Sequence, residues 1–425
     1  MQQSPPLGWR TRAEAEAVLS PLLELPEVHA LLSVAGARTF HIVGGTVRDR
    51  LLGRAHRDLD VVVGGDGARL ARRLAAALGA RLVPLGHDGL VSYRVARPDL
   101  VLDLWDRSGA PLEADLARRD LTINALAFAV PAGRLTDPLG GLEDLRRGRL
   151  RVPSPAVLDD DPLRVLRIAR LASELGFRPT PDTVEAARAR SARLPSVAAE
   201  RVRHELEVAL AIVPGTPCFE LLCELGVHPG VVPGEPVLER ADRDAFERSD
   251  ALVQETPWLL PPAVAPLPLH WRLLLGALPQ SSIDRALRRL ARRGYLGRET
   301  ARQCAAIARG TGLPDGVPDR RWFLHEHGAL WPTAAVARAS LDTRRPLSAC
   351  RRVLAELEQL ATAEAASLFD PPPLVATREV MEICGLRPGP ALGRVLADLR
   401  RRQVEGELTT PDDARRWLES STPRS

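Results

Sequence analysis

The chain has no lysine. All 58 basic residues in its 425-residue length are arginine, against 54 acidic ones, for a formal net charge of +4. This absence excludes a Walker A loop, a Schiff-base or pyridoxal-phosphate lysine and any lysine nucleophile, because each needs an ammonium that guanidinium cannot replace. Phosphates must meet arginine, backbone amides or metal. The five cysteines, Cys218, Cys223, Cys304, Cys350 and Cys384, show neither CxxC nor zinc-ligand spacing. Long apolar runs are also missing. The most apolar stretch, Trp258 to Pro279, is interrupted by Pro261, Pro262, Pro266 and Pro268 and carries His270 and Arg272, so it reads as no bilayer span. Met1 to Arg12 contains no apolar core of signal-peptide length. The expected setting is a reducing cytoplasm, with no membrane partner.

At 45% hydrophobic and 26% charged residues, the composition is that of a folding, soluble chain long enough for several domains. Residues 11–35 read as one helix ending near Gly36, followed by a short β run, Phe40 to Val43, and the Gly44-Gly45 turn. Val47 to Leu52 reads as helix and Asp58 to Val63 as a strand that becomes buried. A helix over Ala68 to Leu78 and strands around Arg81–Pro84, Leu90–Ala96 and Leu100–Trp105 complete an α/β head. After Leu150 the pattern turns to amphipathic helices, clearest over Pro162–Leu175, Pro181–Arg193 and Ala199–Leu210. Proline-rich stretches at 229–236, 257–268 and 314–318 mark candidate joints.

Chemistry concentrates in Gly44-Gly45-Thr46-Val47-Arg48-Asp49 and the downstream Asp58-Leu59-Asp60. Residues two apart in a strand project from one face, so Asp58 and Asp60 place two carboxylates side by side, hard oxygen ligands suited to Mg²⁺. Paired ions at such a site activate a 3′-hydroxyl and neutralise charge on an α-phosphate and departing pyrophosphate. The diglycine admits phosphate close to backbone amides, and Arg48, one helical turn on, is placed to clamp it. Downstream, Pro162 suits a first helical position, so Asp160 or Asp161 is a candidate helix cap, while Arg164, Arg167 and Arg170 recur along one helix face. An alternative use of the same residues is base recognition: Asp161 accepts from an exocyclic amino group and Arg164 donates to the adjacent ring acceptor, a pairing that cytosine and adenine offer and uracil and guanine do not. Asp103 reads either as a third carboxylate or as a strand-end charge facing water. His87-Asp88 and the pair His325 and His327 lack the spaced partners of a phosphohydrolase metal site and read as surface residues.

The string Val43 to Gly53 with Arg57-Asp58-Leu59-Asp60 resembles the first motif of the class II tRNA nucleotidyltransferase and bacterial poly(A) polymerase family. Arg118-Arg119-Asp120-Leu121-Thr122-Ile123-Asn124-Ala125 resembles its RRD motif, and Asn124 is the chain's only asparagine. Asp137 to Leu145 resembles the segment leading into the neck, Asp160 to Arg170 the nucleotide-selecting EDxxR motif, Glu200 to Leu206 the neck helix and Leu386 to Gly393 a tail element. The resemblance is dense from 38 to 210 and thin between 211 and 375. It implies an α/β head of the nucleotidyltransferase (polymerase β-like) type followed by all-α neck, body and tail domains: a lead-in over 1–37, a catalytic head over 38–150, a neck over 151–212, a body over 213–330 and a tRNA-binding tail over 331–425. It further implies Mg²⁺ on Asp58 and Asp60, nucleotide bound by Gly44, Gly45, Arg48, Arg119, Asp161, Arg164, Arg167 and Arg170, and CMP transfer from CTP, with or without ATP as a second substrate, to tRNA 3′ ends.

Two departures from the family pattern stand out. Asp160 replaces the family's glutamate, and only a short link, Arg107 to Ala114, joins the strand ending at Trp105 or Asp106 to Asp115. Relatives that add all of CCA usually carry a longer loop there, and it is shortened in those that add only CC. The resemblance therefore implies CC addition, with full CCA addition, poly(A) synthesis or a noncatalytic RNA-binding role as the other readings.

Overall fold

The computed structural model describes residues 8–36, 38–55, 58–85, 92–107, 109–227, 243–256, 264–275, 280–309 and 312–421. Arg57, His87, Asp88, Leu90 and the proline-rich stretches at 229–236 and 257–263 fall outside them. The chain divides into two compact units, one built from residues 1–205 and 221–231, the other from 206–220 and 232–425.

The first unit opens with α1 (Arg12–Leu19), a 3₁₀ turn (Ser20–Glu24) and α2 (Pro26–Ala35), where the sequence reads as one continuous helix. The interruption has a local cause. Pro21 and Pro26 each lack the amide a continuing helix needs, and both sit instead at first-turn positions, where that amide has no partner anyway.

A mixed seven-stranded sheet follows: β1 (Phe40–Val43), β2 (Asp58–Val63), β3 (Arg81–Leu85), β4 (Ser92–Arg97), β5 (Leu100–Asp106), β6 (Ala127–Val130) and β7 (Arg134–Thr136), in the spatial order β3-β4-β5-β2-β1-β6-β7. Only β2 and β5 run parallel, and their register sets Asp60 opposite Asp103 and Val62 opposite Trp105. The antiparallel β4–β5 pair extends those two rows, with Arg94 opposite Asp103 and Ser92 opposite Trp105. Helix α3 (Gly45–Leu51) connects β1 to β2, and α4 (Gly67–Leu78) buries Leu70, Ala71, Leu74 and Ala75 while turning Arg72 and Arg73 outward, the spacing of a helix laid on a sheet. Helix α5 (Leu112–Ala117) packs Leu112 and Leu116 against Val43, Val62, Ala125 and Ala127. It begins at Leu112, so the connection from β5 is the stretch 107–111 and is shorter than the sequence alone suggests.

Helix α6 (Gly141–Arg146) carries Asp144, whose fully buried carboxylate receives Thr122, Arg149 and Arg151 and ties α6 to the segments on either side of it. Helices α7 (Ala156–Asp160), α8 (Arg164–Leu175), α9 (Pro181–Arg188) and α10 (Ala199–Leu210) follow.

The second unit is helical. Its central helix, Trp331–Leu341, is buried along almost its whole length and packs against the helices Arg243–Glu255, Pro266–Leu274 and Arg298–Ile307. Burial of Arg272 and Arg338 here lowers each guanidinium to about 10. His327, read from sequence as a surface residue, is buried instead, and burial followed by the charges of Arg338 and Arg309 pushes it down to about 3. Toward the C-terminus the helices Thr377–Cys384, Pro390–Glu405 and Pro411–Ser421 close over a separate apolar cluster of Val375, Val380, Leu392, Leu399, Leu408, Ala414 and Leu418. Among the described residues no single helix is long and apolar enough to cross a membrane.

Candidate active site

The turn between β1 and α3 needs glycine at its first position. Gly44 has φ +71°, and a Cβ there would lie 2.8 Å from Asp60 Oδ2 and 3.0 Å from Arg119 Nη1. The backbone therefore rests directly against a carboxylate and a guanidinium. Gly45 begins the helix behind it, and the Thr46 hydroxyl pins strand to helix by donating to the Asp58 carbonyl at 2.8 Å and accepting from the Asp60 amide at 3.4 Å.

Asp58 lies exposed at the start of β2, and Asp60 follows on the same face, half-buried. Asp103, its register partner on β5, is buried, which excludes the solvent-facing reading of that residue. Arg94 grips Asp103 through two bonds, Nε to Oδ1 at 2.8 Å and Nη2 to Oδ2 at 2.7 Å. Burial raises the Asp60 carboxyl to about 6; Arg119 opposes the rise, and the charges of Asp103 and Asp58 add to it. Among the described residues no group of three or more histidine, cysteine, aspartate or glutamate side chains is arranged to hold a metal. With Asp103 engaged by Arg94, the available hard donors are Asp58 and Asp60, a set that fits an ion completing its shell with water and substrate phosphate.

Asp60 and Asp103 open into a cavity of about 1040 Å³ that is also lined by Arg119, Asp120, Asp160, Asp161, Arg164, Arg167 and Arg201. A smaller cavity of about 520 Å³ lies at the other ends of β1 and β2, where Arg38 pairs with Asp66, away from these carboxylates. In the larger cavity Arg119 is held by Asp115 at 3.2 Å. Arg164 donates to the Val157 carbonyl at 2.9 Å, while its Nε is buried without a hydrogen-bond partner among the described residues. Asp161 accepts from the Leu163 amide at 3.2 Å through Oδ1, in the turn before α8, and from Arg201 at 2.8 Å through Oδ2, and it faces the cavity; α8 itself begins at Arg164 without a side-chain cap.

Arg48 and Arg170 are placed otherwise than the sequence suggests. Arg48 is buried, bonded to both Asp49 oxygens at 2.8 and 2.9 Å and to Asn124 Oδ1 at 2.7 Å, and it does not line the larger cavity. Arg170 donates to Glu205 and Glu174, at 2.7 and 2.8 Å, and braces α8 rather than lining the cavity. Both belong to a continuous network. Asn124 Nδ2 donates to Asp120 Oδ1 at 2.9 Å, Asp120 receives Arg167 at 3.4 Å, and Arg167 reaches Glu205 at 3.3 Å. Burial would raise the Asp120 carboxyl, but Arg167, Asn124 and Arg164 outweigh it and hold the group low. The single asparagine is the hinge of this network. Asn124→Ala leaves Arg48 and Asp120 each short of a buried partner and is expected to destabilise the head by about 2–4 kcal/mol, measured by urea denaturation.

Arg94 and Arg201 escape sequence reasoning as site residues because register and long-range packing bring them in. Only the i,i+4 spacing of Asp115 and Arg119 carried a local signal.

A model of the poly(A) polymerase head domain matches residues 40–104 and 103–151, and one described as the probable RNA and SrmB-binding site of polymerase A matches 176–236. The chain is 32% identical to an A-adding tRNA nucleotidyltransferase of Deinococcus radiodurans, covering 90% of this chain and 96% of the relative. It is 29% identical to a CC-adding tRNA nucleotidyltransferase of Geobacter sulfurreducens, covering 93% and 94%. In fold it is similar to the Thermotoga maritima CCA-adding enzyme complexed with tRNA, with a TM-score of 0.68 at 19% identity over 97% of this chain and 98% of that one. The CTP complex of the Bacillus stearothermophilus CCA-adding enzyme gives a TM-score of 0.64 at 23% identity over 98% of each chain.

Proposed function

The chain belongs to the tRNA nucleotidyltransferase family, and on that premise we propose that it transfers CMP from CTP to the 3′ end of tRNA, building the CC of the terminal CCA. One observation carries the catalytic part: a single cavity is lined both by the Asp60 and Asp103 carboxylates of the sheet and by Asp161, Arg164 and Arg167 of the neck. Triphosphate, base and attacking hydroxyl can thus meet in one place.

The tRNA 3′ oxygen forms a bond to the α-phosphorus as the bond from that phosphorus to the bridging oxygen breaks, releasing pyrophosphate. A divalent ion on Asp58 and Asp60 would supply activation of the hydroxyl and neutralisation of the phosphate charge. Gly44 leaves room for phosphate beside Asp60 and Arg119. Arg119, fixed by Asp115, and Arg167, fixed by Asp120 and Glu205, neutralise the triphosphate oxygens. Arg48 and Arg170 act behind them as braces.

Base choice falls to Asp161 and Arg164. Arg201 aims one Asp161 oxygen, and Arg164 lines the same cavity as a guanidinium donor for a ring acceptor. A uracil carbonyl facing Asp161 leaves two acceptors opposed in a partly desolvated site.

The short connection 107–111 supports addition of CC without A. The purified chain with Mg²⁺ is expected to add two cytidines to a tRNA ending at the discriminator base and to leave a CC-ended tRNA unextended with ATP, read at single-nucleotide resolution. Completion to CCA assigns both steps to this chain, and extension of only the CC-ended substrate makes it A-adding.

A further inference from the structure

The cavity that holds the carboxylates is also lined by a part-exposed aromatic side chain. Trp105 is 38% exposed on β5, whereas Trp9, Phe40, Phe128 and Phe177 of the same unit are buried and Tyr93 is half-buried. Among the described residues of this unit it is the one exposed aromatic. It lies two residues after Asp103 on the same strand face, about 7 Å along the strand, in the row of the sheet next to the one that holds Asp60 and Asp103. Among the described residues it keeps a solvent-accessible surface toward the cavity. Ser92 is its partner on β4, Ala110 and Ala114 line the same cavity, and β5 joins α5 through only 107–111. Arg118 adds an exposed cation to that wall.

In-line transfer sets where such a surface can act. Attacking and leaving oxygens lie on opposite sides of the phosphorus, so the acceptor nucleotide approaches from the side away from the triphosphate and from the Asp161 and Arg164 wall. The β5 side of Asp60, where Trp105 lines the same cavity, offers such an approach. We infer that Trp105 is the stacking platform for the 3′-terminal base of the RNA acceptor, holding its 3′-hydroxyl over Asp60, with Arg118 beside the adjoining phosphate. Stacking tolerates any base, because every base has a π-face, which suits an enzyme whose acceptor end changes as it is extended. Trp105 is a positioning residue; it takes no part in the bond changes.

This rests on the transferase reading above, and the test separates the two. Single-nucleotide addition by the full chain is measured for wild type, Trp105→Phe, Trp105→Leu and Trp105→Ala, with KM determined separately for tRNA and CTP. Leucine and alanine are expected to raise the tRNA KM about 10- to 100-fold and leave the CTP KM within twofold, while phenylalanine restores most of the tRNA affinity. An acceptor with an abasic 3′ nucleotide is expected to cost wild type a similar factor and to cost Trp105→Ala nothing further. A change in CTP KM instead, equal losses for phenylalanine and alanine, or additive effects of the abasic acceptor overturn the inference. If wild type extends tRNA and no variant alters its KM, only this inference fails; if wild type extends no tRNA, the transferase reading fails first.

Discussion

Asp60→Asn is expected to abolish nucleotide transfer and to stabilise the metal-free head. Transfer should fall at least about 10³-fold, since the substitution removes one of two hard donors and with it several kcal/mol of charge stabilisation in the transition state. Stability should move the other way. The Asp60 carboxyl titrates at about 6 in the folded chain against 3.8 as an unperturbed group, chiefly through burial. The folded state therefore holds the proton more tightly than the unfolded one. The stability this lends is complete below pH 3.8, is lost as pH rises through 6, and becomes a constant penalty above it. Roughly two units at 1.36 kcal/mol each put that penalty near 3 kcal/mol. Asparagine carries no charge to desolvate, so the variant in a chelator should melt above wild type at pH 8 and converge with it toward pH 4. Melts from pH 4 to 8 check this; equal stability at pH 8 would mean that the Asp60 charge is relieved within the protein itself.

Asp161→Ala is expected to collapse base choice. A site that hydrogen-bonds a substrate group rejects the analogue lacking it because buried partners go unpaired. Without the carboxylate nothing in the pair of recognition groups opposes a uracil carbonyl, and the preference for CTP over UTP should fall about 100-fold or more, measured as the ratio of kcat/KM values in single-nucleotide addition. The bond to the Leu163 amide in the turn before α8 is lost as well, at a cost of about 1 kcal/mol. An unchanged ratio accompanied by that loss of stability would assign Asp161 to that turn alone.

Much of the head was legible because its signals are local. The alternation that ends in Val61-Val62-Val63 marks β2 with the bounds it has, and the glycine turn before it is written in residues that only one conformation explains. Strands β6 and β7 were not legible as strands. Ala127 to Val130 is buried at every position, so it lacks alternation, and it becomes a strand by pairing with β1. The same limit applies to the site. Asp58 and Asp60 are visible from two-residue spacing, but the partnership of Asp60 with Asp103 depends on a parallel register between distant segments, and the hold of Arg201 on Asp161 depends on the packing of α10. The setting of Arg48 was hidden for a related reason. Its position after the diglycine matches a phosphate clamp, and only the tertiary position of Asn124 reveals that the guanidinium is already bonded.

The lysine-free composition has a different meaning inside the second unit. Arg272 and Arg338 are depressed to about 10 by burial and still carry full charge at every pH a cell reaches. An ammonium in either place, starting near 10.4 and losing a similar two to three units, would titrate around 8 and exchange its proton with the surroundings in mildly alkaline conditions. Guanidinium keeps these two interior charges in place across that range.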